Sequence, residues 1–208
     1  MTKHIADFRQ AANYYEPWSI AVPERDLFLD WMISELVPNK KVLETGSRAG
    51  LFCYSSIIHG CKHVIGLEFI QEWINVSNKT FEALEVSKEK YDFISQDATK
   101  FDYSGLDVVL CLGVLYNLPD SHKHSILKGL EVVPISLVEF WCIEDNNLKP
   151  QTFESHNDLG PQYKPNKLQA ELLLKEHGFF FKEVTPEKFK TPNQSNRFYL
   201  CQRFSQIF

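Results

Sequence analysis

The sequence predicts an α/β fold built on a doubly wound sheet of seven strands. Three observations carry that expectation. The stretch Lys41-Val42-Leu43-Glu44-Thr45-Gly46-Ser47-Arg48-Ala49-Gly50 is an apolar run that ends in an acid, then in two glycines four apart, and then in the helical pattern Leu51-Phe52-Cys53-Tyr54. That is a strand, a tight turn and a helix, the opening of a nucleotide-binding βα unit. Downstream, buried-strand runs alternate with amphipathic helices through five units, the crossover arrangement of a parallel sheet. The last two runs, Phe179–Val184 and Arg197–Cys201, have no helix between them and read as an antiparallel hairpin. The expected architecture is therefore Rossmann-like, mostly parallel, with an antiparallel C-terminal hairpin.

Each element has its own signal. Ile5–Tyr15 reads as a short helix with Ile5, Phe8 and Ala12 on one face, broken by Glu16-Pro17-Trp18. Pro23 opens a second helix with an apolar stripe of Phe28, Leu29, Trp31, Met32 and Leu36, stopped at Pro38-Asn39. These two helices precede the first strand and are expected to cap the sheet; Tyr14, Tyr15 and Trp18 read as packing residues, with an aromatic lid as the alternative. After the glycine turn come helix Leu51–Ile58, strand His63–Leu67 ending in Glu68-Phe69, and a long helix from Gln71 to Glu85. Tyr91–Ala98 and Leu106–Gly113 read as strands, His122–Leu130 as a helix and Ile135–Trp141 as the fifth strand. Asp145–Lys164 is polar and long, and a loop of that length inside a compact domain is usually functional. Lys167–His177 reads as a helix ended by Gly178. We expect one domain over 1–208, with 1–38 as the helical cap and 39–208 as the core.

With 208 residues the chain is long enough for a sizeable core, and 16 phenylalanines forecast heavy aromatic packing. A net charge of −5 argues against a broad nucleic-acid footprint. Five dispersed cysteines without a C-x-x-C pair read as reduced, buried thiols of a cytosolic protein. No signal peptide or membrane-length apolar run is evident, and no metal ligand is assigned. The oligomeric state does not read out from the sequence.

Three successive strand-like runs end in acids: Glu44, Glu68 and Asp97. Ligands of open α/β sheets sit beyond the C-terminal strand ends, so these carboxylates are expected to converge. Glu68 lies about twenty residues after the turn, where an acid accepts from ribose hydroxyls, and is expected to be exposed there. Phe69 suits an adenine face and Asp97-Ala98 the adenine amino group. A dinucleotide would place phosphates beside these acids, which is unfavourable. S-adenosylmethionine (SAM) carries a sulfonium and an ammonium and no phosphate, and acids favour it. Neither G-x-G-x-x-G nor G-x-x-x-x-G-K-[ST] is present, which further disfavours NAD and P-loop readings.

From Lys41 to Phe208 the chain resembles the class I SAM-dependent methyltransferases. The resemblance rests on the acid-bearing glycine loop, Glu68, Asp97, the segment Leu112-Gly113-Val114-Leu115-Tyr116, the element from Leu172 to Phe179, and the terminal hairpin. Locally, Leu112–Asn117 and Arg197 are similar to the wobble-uridine tRNA carboxymethyltransferase family. The resemblance implies that Glu44, Gly46 and Gly50 line the methionine end; Ser47 and Arg48, between those glycines, are further cofactor-binding candidates, Arg48 as a cation for the methionine carboxylate. It places Glu68 at the ribose, Asp97 at the adenine, and Leu112-Gly113 at the centre. Arg48 stands where the usual loop has a third glycine, and Asn117 where the tRNA-modifying family has a histidine.

The implied activity is methyl transfer to a small molecule, with RNA modification and non-catalytic SAM binding as alternatives. Tyr116 and His156 are the candidate catalytic residues. Tyr116 would place its hydroxyl near the transferred methyl, and His156, in the long loop, is preferred over His122 and His124 as a general base. His122 and His124 more simply decorate an exposed helix, and Glu139 could face the crevice or pair structurally.

Overall fold

The computed structural model describes residues 2–12, 23–143, 151–153, 162–190 and 194–203. They form two compact units, 1–98 and 99–208. Tyr14, Tyr15, Trp18 and His156 lie outside the described residues.

The first unit runs α1 (Lys3–Ala12), α2 (Pro23–Leu36), β1 (Lys41–Thr45), α3 (Leu51–Ile58), β2 (His63–Glu68), α4 (Gln71–Ala83) and β3 (Tyr91–Ser95). The second runs β4 (Val108–Cys111), α5 (Asp120–Leu130), β5 (Ile135–Ile143), β6 (Gln151–Phe153), β7 (Gln162–Lys164), α6 (Lys167–Glu176), β8 (Phe180–Glu183) and β9 (Gln194–Gln202). Seven strands make one sheet in the order β3-β2-β1-β4-β5-β9-β8. β1 pairs parallel with β2, β2 with β3 and β4 with β5, while β9 runs antiparallel to both β5 and β8. This is the expected seven-stranded fold with its antiparallel C-terminal pair.

Several boundaries differ from expectation. Strand β3 stops at Ser95, so Asp97 stands two residues beyond it, ahead of a 3-10 turn at Ala98–Lys100. The run 106–113 yields only Val108–Cys111 as strand. The long polar segment contributes β6 and β7, paired antiparallel as a separate two-stranded sheet. Alternation in Gln151–Phe153 and Gln162–Lys164 is too short to stand out from loop composition.

In the first unit an aromatic cluster fills the space between helices and sheet. Phe81 of α4 meets Phe8, Tyr54, Tyr91 and Phe93 at ring-centroid distances of 4.6–6.4 Å. Helix α1 buries Ile5 and Phe8, and it packs on α3 and α4. Helix α2 packs on α3 but presents a mixed face: Phe28, Leu29, Met32 and Ile33 are buried together with Asp26 and Asp30, whereas Trp31 is 56% exposed. The expected apolar stripe thus carries a polar inlay, because Asp26 meets Arg9 and Asp30 meets His4, Ser55 and His59.

In the second unit, helix α6 begins with a reciprocal cap. The Asn166 side chain accepts from the Gln169 backbone N–H and the Gln169 side chain accepts from that of Asn166. The five cysteines are buried, and no disulfide links them. No described helix is long and apolar enough to cross a membrane.

Candidate functional site

In the first unit the site is built around the turn from β1 into α3. Gly46 takes a φ of 64°, open to a residue without Cβ at little strain. At Gly50 (φ 88°) a Cβ would lie 2.8 Å from Phe93 Cζ and 3.1 Å from Phe81 Cε2. On β2, a Cβ on Gly66 would come within 2.4 Å of the same Phe93 ring. One ring therefore packs against both glycines. Arg48 adopts a left-handed φ of 47°, a conformation that is strained in a residue with a side chain.

Two buried carboxylates flank this turn. Glu44, at the end of β1, accepts from the Cys53 backbone N–H at 2.9 Å and lies 3.1 Å from the Cys53 thiol. An acid near a helix start is stabilised by the helix dipole, and here it takes one of the N–H groups that α3 otherwise leaves open. Burial nonetheless pushes the Glu44 carboxyl up to about 8, against the opposing pull of the Cys53 hydrogen bonds and of Arg25.

Glu68, at the end of β2, is only 7% exposed, contrary to the expectation of an exposed strand-end acid. The chain bends back just after it, so one oxygen accepts from the N–H groups of Phe69 and Ile70, at 2.8 and 3.0 Å. The other accepts from the Arg48 N–H at 3.0 Å. Three of about four acceptor positions are thus occupied by backbone. Glu68 both ties the loop to the strand and keeps acceptor capacity at the loop.

The remaining sequence-derived residues of this unit gather around that pair. The Ser47 backbone N–H donates to the Leu67 carbonyl, while its side-chain hydroxyl is buried without a hydrogen-bond partner among the described residues. The Arg48 guanidinium lies 5.8 Å from the Trp73 ring centroid, and its carbonyl accepts from the Ser77 hydroxyl. Phe69 is 73% exposed at the strand end. The N–H of Gln96 donates to the Glu68 carbonyl, which sets the half-buried Asp97 and Ala98 just past the Glu68 strand end.

In the second unit, Leu112 is buried and Gly113 turns with a φ of 73°, its carbonyl held by the Asn117 side chain at 2.8 Å. Tyr116 sits in a 3-10 turn, edge-on to Trp141 with centroids 5.6 Å apart. A Cβ on Gly113 would be 3.4 Å from the Tyr116 hydroxyl and 3.9 Å from a Glu139 carboxylate oxygen, so these groups converge. Glu139 is fully buried and accepts from the Asn196 side chain. Lys164 places its ammonium 3.1 Å from the Trp141 ring centroid, and burial lowers its pKa.

Sequence reasoning missed Trp141, Lys164 and Asn196. They come from β5, β7 and β9 and share no local motif. His124 pairs with His177, which pairs in turn with Glu131. Arg197, a point of the family resemblance, is buried on β9 and ion-paired with Glu183, which also takes Lys167.

No model of a known protein family matches the chain, and no curated protein does. Solved structures with the same fold are numerous. The chain is similar to the N-terminal domain of EvdMO1 with SAH bound, at 15% identity over 85% of this chain and 80% of that one, with a TM-score of 0.70. It is similar to magnesium protoporphyrin IX methyltransferase (ChlM) from Synechocystis PCC 6803 with bound SAH, at 15% identity over 96% and 94% of the chains, TM-score 0.69. It is also similar to a putative RNA methyltransferase, PH1948, from Pyrococcus horikoshii, at 16% identity over the full length of both, TM-score 0.63. These likenesses establish the fold.

Proposed function

We propose that this chain is a SAM-dependent methyltransferase acting on a small-molecule acceptor. The observation that carries the proposal is the pair of buried acids, Glu44 and Glu68, flanking a turn whose buried Ser47 hydroxyl has no hydrogen-bond partner among the described residues. A phosphate-bearing nucleotide would meet the Glu68 carboxylate there, whereas a ligand with an ammonium, a sulfonium and a ribose diol suits it. Two of the solved structures that share the fold, the EvdMO1 domain and ChlM, hold SAH, which supports the same reading.

In this reading SAM supplies an electrophilic methyl group. Glu68 accepts from the ribose hydroxyls with its remaining lone-pair capacity, and Phe69 lies against the adenine, with Asp97 and Ala98 at its amino group. Gly46, Ser47, Arg48 and Gly50 take the methionine end. Ser47 gains there the partner it lacks, and Glu44 stands beside the turn as a protonated, buried acid held by Cys53. Orientation and exclusion of water supply most of the acceleration.

Where the acceptor atom is N–H or O–H, its proton must leave. Among the described residues of the second unit, Lys164, buried against Trp141 with its pKa lowered by burial, is the candidate base. Trp141 forms the apolar wall beside it, and Tyr116, edge-on to Trp141 with its hydroxyl at Gly113, is the group proposed to work near the transferred methyl. His156, the base favoured by sequence, stays a proposal beyond the described residues. Incubation with methyl-labelled SAM and a fractionated cell extract tests this function. Label in the small-molecule fraction supports it. Label in RNA selects the tRNA-modifying reading suggested by the Tyr116 segment. Binding without any transfer selects a SAM-holding protein.

A further inference from the structure

Three residues with no part in the proposed transfer meet on one flank of the first unit. His4 comes from α1, Asp30 from α2, and His59 from the C-cap of α3. The Asp30 Oδ1 atom lies 2.7 Å from His4 Nε2 and 3.0 Å from His59 Nε2, and accepts from the Ser55 hydroxyl at 2.6 Å. The imidazoles stand edge-to-face with centroids 5.5 Å apart. Asp30 is buried, while the two histidine side chains are 17% and 24% exposed, so the cluster opens to solvent on one side.

Three polar neighbours on one carboxylate oxygen exceed its two lone pairs. A cation resolves that crowding. With the histidines in the tautomer that leaves Nε2 unprotonated, two imidazole nitrogens and a carboxylate oxygen become three ligands for one ion. The three ligand atoms already lie within 4.8 Å of one another. Tetrahedral zinc, with bonds of about 2.0–2.2 Å, needs its ligands roughly 3.3 Å apart, a small side-chain adjustment from this arrangement. The Ser55 hydroxyl would then hold the carboxylate in place, the usual office of an outer hydrogen bond at a metal site.

We infer that His4, Asp30 and His59 form a divalent-cation site of the zinc class, completed by a solvent ligand, that clips α1 to α2 and to the end of α3. Nitrogen and oxygen ligands without thiolate suit zinc and, by the same chemistry, cobalt(II). The clip closes chain separations of 26 and 29 residues and anchors the helix whose other end carries Gly50.

The test uses the full chain, stripped with a chelator, reloaded with zinc and desalted. The site predicts one zinc per chain, and zinc at a hundredfold excess over its dissociation constant should raise the melting temperature by about 5–10 °C. Cobalt(II) should give a visible d–d band without the near-ultraviolet thiolate band that the cysteines would produce. His4→Gln and His59→Gln should each abolish retention and the zinc shift while keeping the metal-free circular dichroism of the wild type. Absence of zinc retention and of a cobalt band in the wild-type protein overturns the site, and that readout needs no variant to fold. Retention unchanged in both variants, or a cobalt spectrum with thiolate character, overturns it equally.

Discussion

The Arg48 backbone N–H donates to the Glu68 carboxylate across twenty residues, at 3.0 Å. A strand-end acid therefore belongs to the glycine loop as much as to its own strand. Hydrogen bonds to charged groups contribute about 1.5–3 kcal/mol each. Glu68→Gln keeps the size but gives one end of the side chain donors where the backbone also donates. We expect at least a tenfold loss of S-adenosylhomocysteine affinity by calorimetry, together with a melting point a few degrees lower. Wild-type affinity in a folded Glu68→Gln protein removes Glu68 from the cofactor site.

Glu44 should leave a signature in the pH dependence of stability. Its carboxyl moves from 4.5 up to about 8 on folding, chiefly because burial disfavours the charged form. Between those values the folded chain holds a proton that the unfolded chain has released. Stability is fully present below the lower value and declines as pH rises through the upper one. Denaturant titrations of the wild type should show that decline between roughly pH 5 and 8, and Glu44→Gln should flatten it. An identical profile in the variant refutes the assignment.

Phe93 packs over Gly66 and Gly50, and the closeness is testable by a double-mutant cycle. Gly66→Ala places a methyl group within 2.4 Å of the ring and should destabilise by about 1–3 kcal/mol in urea. Phe93→Leu costs stability of its own, but adding Gly66→Ala to it should cost much less than in the wild type. Additive effects would show that the ring does not set the spacing.

Lys164 and Tyr116 should matter for transfer and little for cofactor binding. Lys164→Met and Tyr116→Phe are each expected to lower labelled-methyl incorporation at least tenfold, with S-adenosylhomocysteine affinity within about twofold of wild type. Equal losses in binding and incorporation would place these residues in the cofactor pocket instead.

Much of this was legible in the sequence, for reasons that are local. The β1–turn–α3 unit could be read directly because an apolar run, two glycines and a helical pattern follow one another, and Leu51–Ile58 is the helix that forms. The acids Glu44 and Glu68 were visible as strand ends. Their burial was not, because it depends on N–H groups of Cys53, Phe69 and Arg48 that only the folded backbone turns toward them. The His4–Asp30–His59 cluster has no motif, since its members come from three helices. Asp30 falls among apolar residues of α2 and gives no sign that it faces inward. Strands β6 and β7, at three residues each, carry too little periodicity to separate from a polar loop.

The most direct measurement compares two ligands on one protein. S-adenosylhomocysteine keeps the ribose, adenine and methionine ends for which the turn, Glu68 and Asp97 are proposed. At a hundredfold excess over its dissociation constant it should raise the melting temperature by about 5–10 °C. NAD at equal concentration should shift it little, because its phosphates would meet Glu68 and Asp97. A clear shift with NAD and none with S-adenosylhomocysteine would contradict both the cofactor and the methyl transfer built on it.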